Sequence, residues 1–234
     1  CAHLLCVEWC SGTEAERTTG LRPAGSEVLR GGPLSMQLMA ADAAGLLDSL
    51  GLGRVHVSGL SLGSCVAQEL ALARPEQVAS LQLHGTWGTT AGYAGRKFRA
   101  QLQLLDTLSV AAFYEINVLW FLTPEHMERR GPEELSADVS DLARRAPEAE
   151  VLRQQYQADL EHESLPRLHA INCPTLVTVG SVDLAAPPLY ARQVQRAIGG
   201  ETKLHVFEGG GHLHNMEKPH EFNAATLEFL RQHR

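Results

Sequence analysis

From Ser35 onward the chain alternates between stretches of two different hydrophobic periods, and this alternation restricts the fold more than any other feature. Ser35 to Leu50 carries Met36, Met39, Ala43, Leu46, Leu47 and Leu50 on one face at three-to-four spacing, which predicts a helix. Gly51 and Gly53 supply its stop. Arg54 to Ser58 (RVHVS) is a short β-branched run, read as a strand, and Ser64 to Arg74 is an Ala- and Leu-rich helix ended by Pro75. Val78 to His84 alternates Val78, Ser80 and Gln82 against Ala79, Leu81 and Leu83, as a strand does. Thr175 to Val179 (TLVTV), opened by Pro174, and Lys203 to Phe207 (KLHVF) predict two more strands. Between them Leu189 to Ile198 forms a helix with Tyr190, Val194, Ala197 and Ile198 inward, and Glu221 to Arg231 closes the chain as another. Strands joined by helices of this length must run parallel, because a parallel crossover needs roughly a dozen residues or more. The expected class is α/β, a mostly parallel sheet flanked by helices.

The alternation breaks between Trp87 and Leu168. That stretch has no convincing strand but several helical patterns, set by Phe98, Leu102 and Leu105, then Val110, Phe113 and Tyr114, then Leu135, Val139 and Leu142. It reads as an all-helical insertion between two strands, giving a core of residues 1–87 and 169–234 and a helical cap of residues 88–168. The insertion holds Phe98, Phe113, Tyr114, Trp120 and Phe121. Singly, each such aromatic belongs in the insertion's own core; together they could also roof a small-molecule pocket.

Composition narrows the partners. A formal charge of −7 over 234 residues, with no clustered Lys/Arg stripe, argues against nucleic acid. No apolar run approaches the roughly 20 residues that cross a bilayer, so no membrane span is expected. Cysteines at positions 1, 6, 10, 65 and 173 are odd in number and scattered, which favours a reducing, cytoplasmic compartment over a disulfide framework. Cys1, Cys6 and Cys10 lie close together, but no second Cys/His cluster complements them, and no metal site is expected. The chain opens with Cys1 rather than Met and shows no signal-peptide pattern, so either the start was processed or the chain is part of a longer reading frame.

The segment Val55-His56-Val57-Ser58-Gly59-Leu60-Ser61-Leu62-Gly63-Ser64 carries the chemistry. Gly59-x-Ser61-x-Gly63 follows a predicted strand and opens a predicted helix, which is the context that gives these letters meaning. A serine on such a turn is held in a strained backbone, and glycines two residues either side let neighbouring chain pack closely. The turn lifts the Ser61 hydroxyl above the sheet at the positive end of the next helix, and the amide N–H of Leu62 would face a developing oxyanion. Ser58 and Ser64 fall outside the central slot. A hydroxyl needs a base to take its proton as it attacks, and acid and histidine follow such a serine in that order, at carboxyl ends of later strands. Gly180-Ser181-Val182-Asp183 follows the strand Thr175–Val179, and Glu208-Gly209-Gly210-Gly211-His212 follows Lys203–Phe207. Asp183 would fix the tautomer of His212, and His212 would shuttle the proton of Ser61. His214, His56, His84 and His205 are rivals, but the glycine run presents His212 at an exposed loop apex. A His212-x-His214 metal pair lacks a nearby carboxylate or cysteine to complete it. Thr86, Trp87, Trp120 and Phe121 are candidates for the substrate pocket.

Through this elbow, the Gly-x-x-Asp after a Pro-opened strand and the Gly-His ending, the sequence resembles the α/β-hydrolase superfamily. The tail Gly209 to Phe222 (GGGHLHNMEKPHEF) looks like its histidine loop and following helix. Leu119-Trp120-Phe121-Leu122-Thr123-Pro124 and the stretch Pro174 to Pro188 are most similar to 3-oxoadipate enol-lactonase-like hydrolases and carboxylesterases, and the resemblance covers residues 33 to 234. It implies the α/β-hydrolase fold, the triad Ser61, Asp183 and His212, one oxyanion donor from Leu62, and no cofactor. The departure is N-terminal. Superfamily members carry a His-Gly loop that supplies the second oxyanion amide, and residues 1–31 contain no His-Gly pair. Leu21-Arg22-Pro23-Ala24-Gly25-Ser26 only faintly resembles the superfamily's Arg-Gly-x-Gly-x-Ser turn. The N-terminal strands are therefore expected to be incomplete, the strand beside the one leading to Ser61 missing, and an apolar parallel edge left uncovered.

The expected activity is cofactor-independent hydrolysis of a small carboxylic ester or lactone through an acyl-enzyme. Serine in the nucleophile slot argues against dehalogenases and epoxide hydrolases of this fold, which use aspartate there. The same triad also serves C–C bond hydrolases, aminopeptidases, haloperoxidases and acyltransferases. Loss of one oxyanion donor typically costs ~10²–10³ in turnover, so the alternative is a truncated or pseudo-hydrolase that acts only by binding.

Overall fold

The computed structural model describes residues 4–7, as backbone, and 33–233. Five strands, β1 (Leu4–Val7), β2 (Val55–Leu60), β3 (Val78–His84), β4 (Thr175–Gly180) and β5 (Thr202–Phe207), form one sheet in sequential order, every neighbouring pair parallel. The crossovers are helical, as the spacing requires: α1 (Met36–Ser49) enters β2, α2 (Leu62–Ala73) joins β2 to β3, and α8 (Pro188–Ala197) joins β4 to β5. Ser35 caps α1 by accepting the Leu38 amide at 3.1 Å, and Gly51 turns the chain out of the helix at φ +62°.

The sheet has two unlike faces. Val57, Leu81, Leu83, Val177 and Val179 are fully buried in a core shared with α1, α2 and α8. Alternate residues point the other way, and there Ser58, Gln82 and His84 meet Phe222 and Thr226 of the last helix, α10 (Pro219–Gln232), around a cavity of about 410 Å³. Both faces of β2 to β4 are thus covered, which is why their sequences read as nearly continuous buried runs.

Between β3 and β4 the chain forms α3 (Tyr93–Thr107), α4 (Val110–Phe121), α5 (Pro124–Arg130), α6 (Pro132–Arg145) and α7 (Ala149–Glu161). Most of their aromatic surface is consumed internally. Tyr156 packs edge-on against both Phe98 and Phe113, with ring centroids at 6.3 and 5.3 Å. No helix among the described residues is long and apolar enough to cross a membrane.

One expectation is corrected. The edge of β2 is not left bare, because Leu4–Val7 pairs with it in parallel, from Leu4 opposite His56 to Val7 opposite Gly59. Four residues are too few to show a strand period in sequence, yet four suffice to occupy the hydrogen-bonding edge. The triplet of cysteines and the Leu21–Ser26 stretch fall, apart from the backbone of Cys6, outside the described residues.

The chain approaches itself very closely at the end of β2. A Cβ on Gly59 would lie 2.3 Å from the Gly63 carbonyl oxygen, a backbone atom that cannot swing aside. Gly59→Ala is expected to cost about 3 kcal/mol or more by overpacking, read as a lowered midpoint of urea unfolding.

Candidate active site

Parallel strands deliver their carboxyl ends to one side of the sheet, and the candidate residues all lie there. Ser61 follows β2 directly and opens α2 with φ +54° and ψ −125°; it is the one non-glycine residue at positive φ among those described. Such a conformation costs on the order of 1–3 kcal/mol and survives only where its surroundings over-determine it. Here Ser61 N–H donates to the His84 carbonyl at 2.9 Å, and the Ser61 carbonyl accepts from Ser64 N at 2.8 Å and from Ser64 Oγ at 2.6 Å. Ser64 Oγ lies 2.8 Å from Thr86 Oγ1, which also accepts from Gln68 Nε2 at 2.7 Å. The hydroxyl of Ser61 itself takes no part in this scaffold.

His212 reaches Ser61 from the loop after β5. Its Nε2 is 2.9 Å from Ser61 Oγ, and its Nδ1 is 2.8 Å from Asp183 Oδ2. A carboxylate only accepts, so Nδ1 carries the ring proton and Nε2 is left as the acceptor facing the serine hydroxyl. Asp183 is only 2 % exposed. Its second oxygen, Oδ1, accepts from the amides of Ala185 and Ala186 at 2.8 and 2.7 Å, which fixes the carboxylate plane. The loop around it is docked on α3, where Tyr93 Oη donates to the Leu184 carbonyl at 2.5 Å.

The other predicted residues separate. Phe121 stacks on the His212 ring, centroids 5.6 Å apart at 29°, so the helical insertion touches the site there. Thr86 is fully buried with its hydroxyl spent on Ser64 and Gln68, and Trp87 is buried against Phe98 at 5.2 Å. Trp120 is half-buried one position before Phe121. Leu62 is the first residue of α2, so its amide lies at the helix's positive end beside Ser61.

The rival histidines are occupied elsewhere. His84 lies between Ser58 Oγ at 3.1 Å and Thr178 Oγ1 at 2.7 Å, and that threonine hydroxyl is 2.8 Å from His214 Nε2. His56 Nδ1 is 2.7 Å from Ser80 Oγ, and His205 lies exposed against Phe207. His212 and His214 therefore aim their nitrogens at different partners and do not converge as a metal pair.

The match to known families settles what this arrangement belongs to: the model of the alpha/beta hydrolase family covers residues 5–225. The chain belongs to the alpha/beta hydrolase family. A curated relative named "Putative carbamate hydrolase RutD", from Caulobacter sp., is 31% identical over 198 residues, spanning 85% of this chain and 73% of the relative. Among solved structures, a thermophilic esterase from Thermogutta terrifontis is 26% identical with a TM-score of 0.81, covering 100% of this chain and 91% of that one. The enol-lactonase from Burkholderia xenovorans shares the fold at TM-score 0.81 and 20% identity, covering 98% of this chain and 91% of that one.

Within this alpha/beta hydrolase several site residues escape sequence reasoning. Gly85 follows β3 at φ +54°, where a Cβ would stand 2.9 Å from His212 Cε1; a lone glycine just past a strand is its only sequence signal. Lys97 of α3 and Asp159 of α7 are both buried. The Lys97 ammonium sits 3.9 Å over the Phe98 ring. Burial pushes Lys97 down against the pull of Asp159, and pushes Asp159 up against the pull of Lys97. Helical spacing alone does not show which charged residue turns inward.

Two predictions arise from this geometry. Gly85→Ala should lower turnover about tenfold or more by displacing the imidazole between its partners, measured on any substrate the wild type hydrolyses. Burial holds His84 at about 3, with His214 adding to the effect, and holds His214 at about 4; burial with Arg167 nearby holds His162 at about 3. Unfolded histidine titrates near 6.5. Below that pH the unfolded chain binds protons that the folded chain refuses, so stability present above pH 6.5 is lost as the pH falls toward 4. The loss is about 2 kcal/mol per histidine by pH 5, and urea midpoints measured from pH 7.5 to 5 should fall steeply.

Proposed function

We propose that this hydrolase is a cofactor-independent serine hydrolase that cleaves a small carboxylic ester or lactone through an acyl-enzyme. The observation that carries the reading is the continuous relay from Ser61 Oγ to His212 Nε2 at 2.9 Å and from His212 Nδ1 to Asp183 at 2.8 Å, on a serine held at positive φ. Ser61 attacks the acyl carbon as His212 takes its proton, and Asp183 stabilises the imidazolium. The Leu62 amide donates to the oxyanion, His212 returns the proton to the leaving alkoxide, and water repeats the sequence to release the acid. Every step balances on the chain's own residues and water.

Residues 88–168 serve in this reading as a cap over the site, supported by the stacking of Phe121 on His212. The name of the Caulobacter relative extends the candidates to carbamates, whose acyl carbon is attacked in the same way. A reducing, cytoplasmic setting belongs to the same reading and rests on Cys65 and Cys173, both free thiols.

The test is labelling with a fluorophosphonate probe, alongside hydrolysis of short 4-nitrophenyl esters, a δ-lactone and an aryl carbamate. Ser61→Ala is expected to abolish labelling and to lower hydrolysis by ~10³ or more. Undiminished labelling or turnover in Ser61→Ala would sink the assignment. Absent labelling of folded wild type would favour a chain that only binds.

A further inference from the structure

The catalytic histidine is held from the insertion as well as from the sheet. One carboxylate does most of this. Glu217 ends the short helix α9 (His214–Glu217), and its two oxygens reach in two directions. Oε2 accepts from the Gly211 amide at 2.8 Å, the peptide immediately before His212. Oε1 accepts from the Thr123 amide at 2.8 Å, at the junction between α4 and α5, and Thr123 Oγ1 donates to Oε2 at 3.3 Å. A second link runs parallel to the first: the Leu213 amide, immediately after His212, donates to the Phe121 carbonyl at 3.1 Å. The stretch 121–123 of the insertion therefore grips the residue on each side of His212, and the Phe121 ring lies on the imidazole itself.

The packing leaves this arrangement no slack. A Cβ on Gly211 would come within 2.9 Å of Glu217 Oε1 and 3.1 Å of the Phe121 carbonyl oxygen. On the sheet side the Gly210 carbonyl accepts from the Val182 amide at 3.1 Å, so the loop can pivot only if the insertion lets go. Thr123 is buried at 3% exposure, and a buried amide there that lost its acceptor would be left unpaired.

We propose that Glu217 is a positioning residue that locks the seating of the helical insertion to the alignment of His212 with Ser61. The proposal rests on the serine-hydrolase reading for its kinetic consequence, and on the two amide contacts alone for the coupling. Only a carboxylate satisfies the geometry, because both partners are N–H donors. A glutamine of the same shape accepts with one oxygen, and its NH₂ faces the other amide donor to donor. Glu217→Gln therefore breaks the bridge between the histidine loop and the insertion while preserving volume, and neither segment then holds the other in place. A displacement of about an ångström at His212 costs up to roughly a hundredfold in turnover without weakening substrate binding.

The experiment compares wild type, Glu217→Gln and Glu217→Asp, the last keeping the charge but one methylene shorter. Three readouts are used: kcat and KM on a short 4-nitrophenyl ester, the fluorophosphonate labelling rate, and amide hydrogen exchange of peptides containing Gly211 and Thr123. The expected result for Glu217→Gln is a kcat lowered about ten- to a hundredfold, with KM within about twofold. Labelling should slow in proportion, and exchange should be faster in both peptides. An unchanged kcat, or a loss seen equally in kcat and KM, overturns the positioning role. If wild type does not label at all, the serine reading has failed and exchange alone decides. Faster exchange in both peptides upholds the coupling, and faster exchange in one or neither overturns it. Should Glu217→Gln not fold, Glu217→Asp is judged by the same outcomes.

Discussion

Ser61 occupies a backbone conformation that an L-residue avoids, and the organisation of the site follows from how that conformation is held. Its amide is taken by the end of β3 and its carbonyl by the first turn of α2. The chain can pass so closely over itself only because Gly59 lacks a side chain, whose Cβ would meet the Gly63 carbonyl. With its backbone groups already satisfied, the serine keeps its hydroxyl for His212, at the carboxyl end of β2. The strain is local, while the hydrogen bonds that hold it come from β3 and α2, so the turn depends on strand pairing being complete.

The polar face of the sheet carries hydrogen bonds of its own. Ser58, His84, Thr178 and His214 form a buried hydrogen-bonded line across β2, β3 and β4 to the histidine loop, where apolar residues would also have packed. The line spends the donors and acceptors of two histidines that could otherwise compete with His212. Both are held neutral by burial, which ties the stability of the fold to pH. Phe207 and Phe222 close over His214 at 5.1 and 5.8 Å, so α10 seals the line from outside.

The insertion divides its aromatics between two purposes. Phe98, Phe113 and Tyr156 pack against one another across its helices, and Phe121 stacks on His212. Its interior is partly polar. Gln101 Nε2 donates to Asn117 Oδ1 at 2.5 Å, and the buried Lys97 feels the charges of both Asp159 and Asp183. These groups lie on α3, α4 and α7, so their burial requires those helices to be packed in one particular way.

The sequence by itself determined the parallel α/β plan and the three residues of the relay. Each of these is a local signal: a period, a glycine spacing, or a charged residue just past a strand. The strand limits shifted by only a residue or two, with β2 running on to Leu60 and β4 to Gly180. Tertiary structure decided what depends on partners distant in sequence. Leu4–Val7 is a strand because β2 offers it an edge, and Gly85 is required because His212 lies against it. The buried Lys97 feels the charge of Asp159, 62 positions away on a neighbouring helix, and Glu217 matters because Thr123 is folded back onto it across 94 residues. No window of sequence contains both members of such pairs. Propensity and periodicity report what a segment can become, whereas the ligand of a buried charge or amide is chosen only when the segments pack.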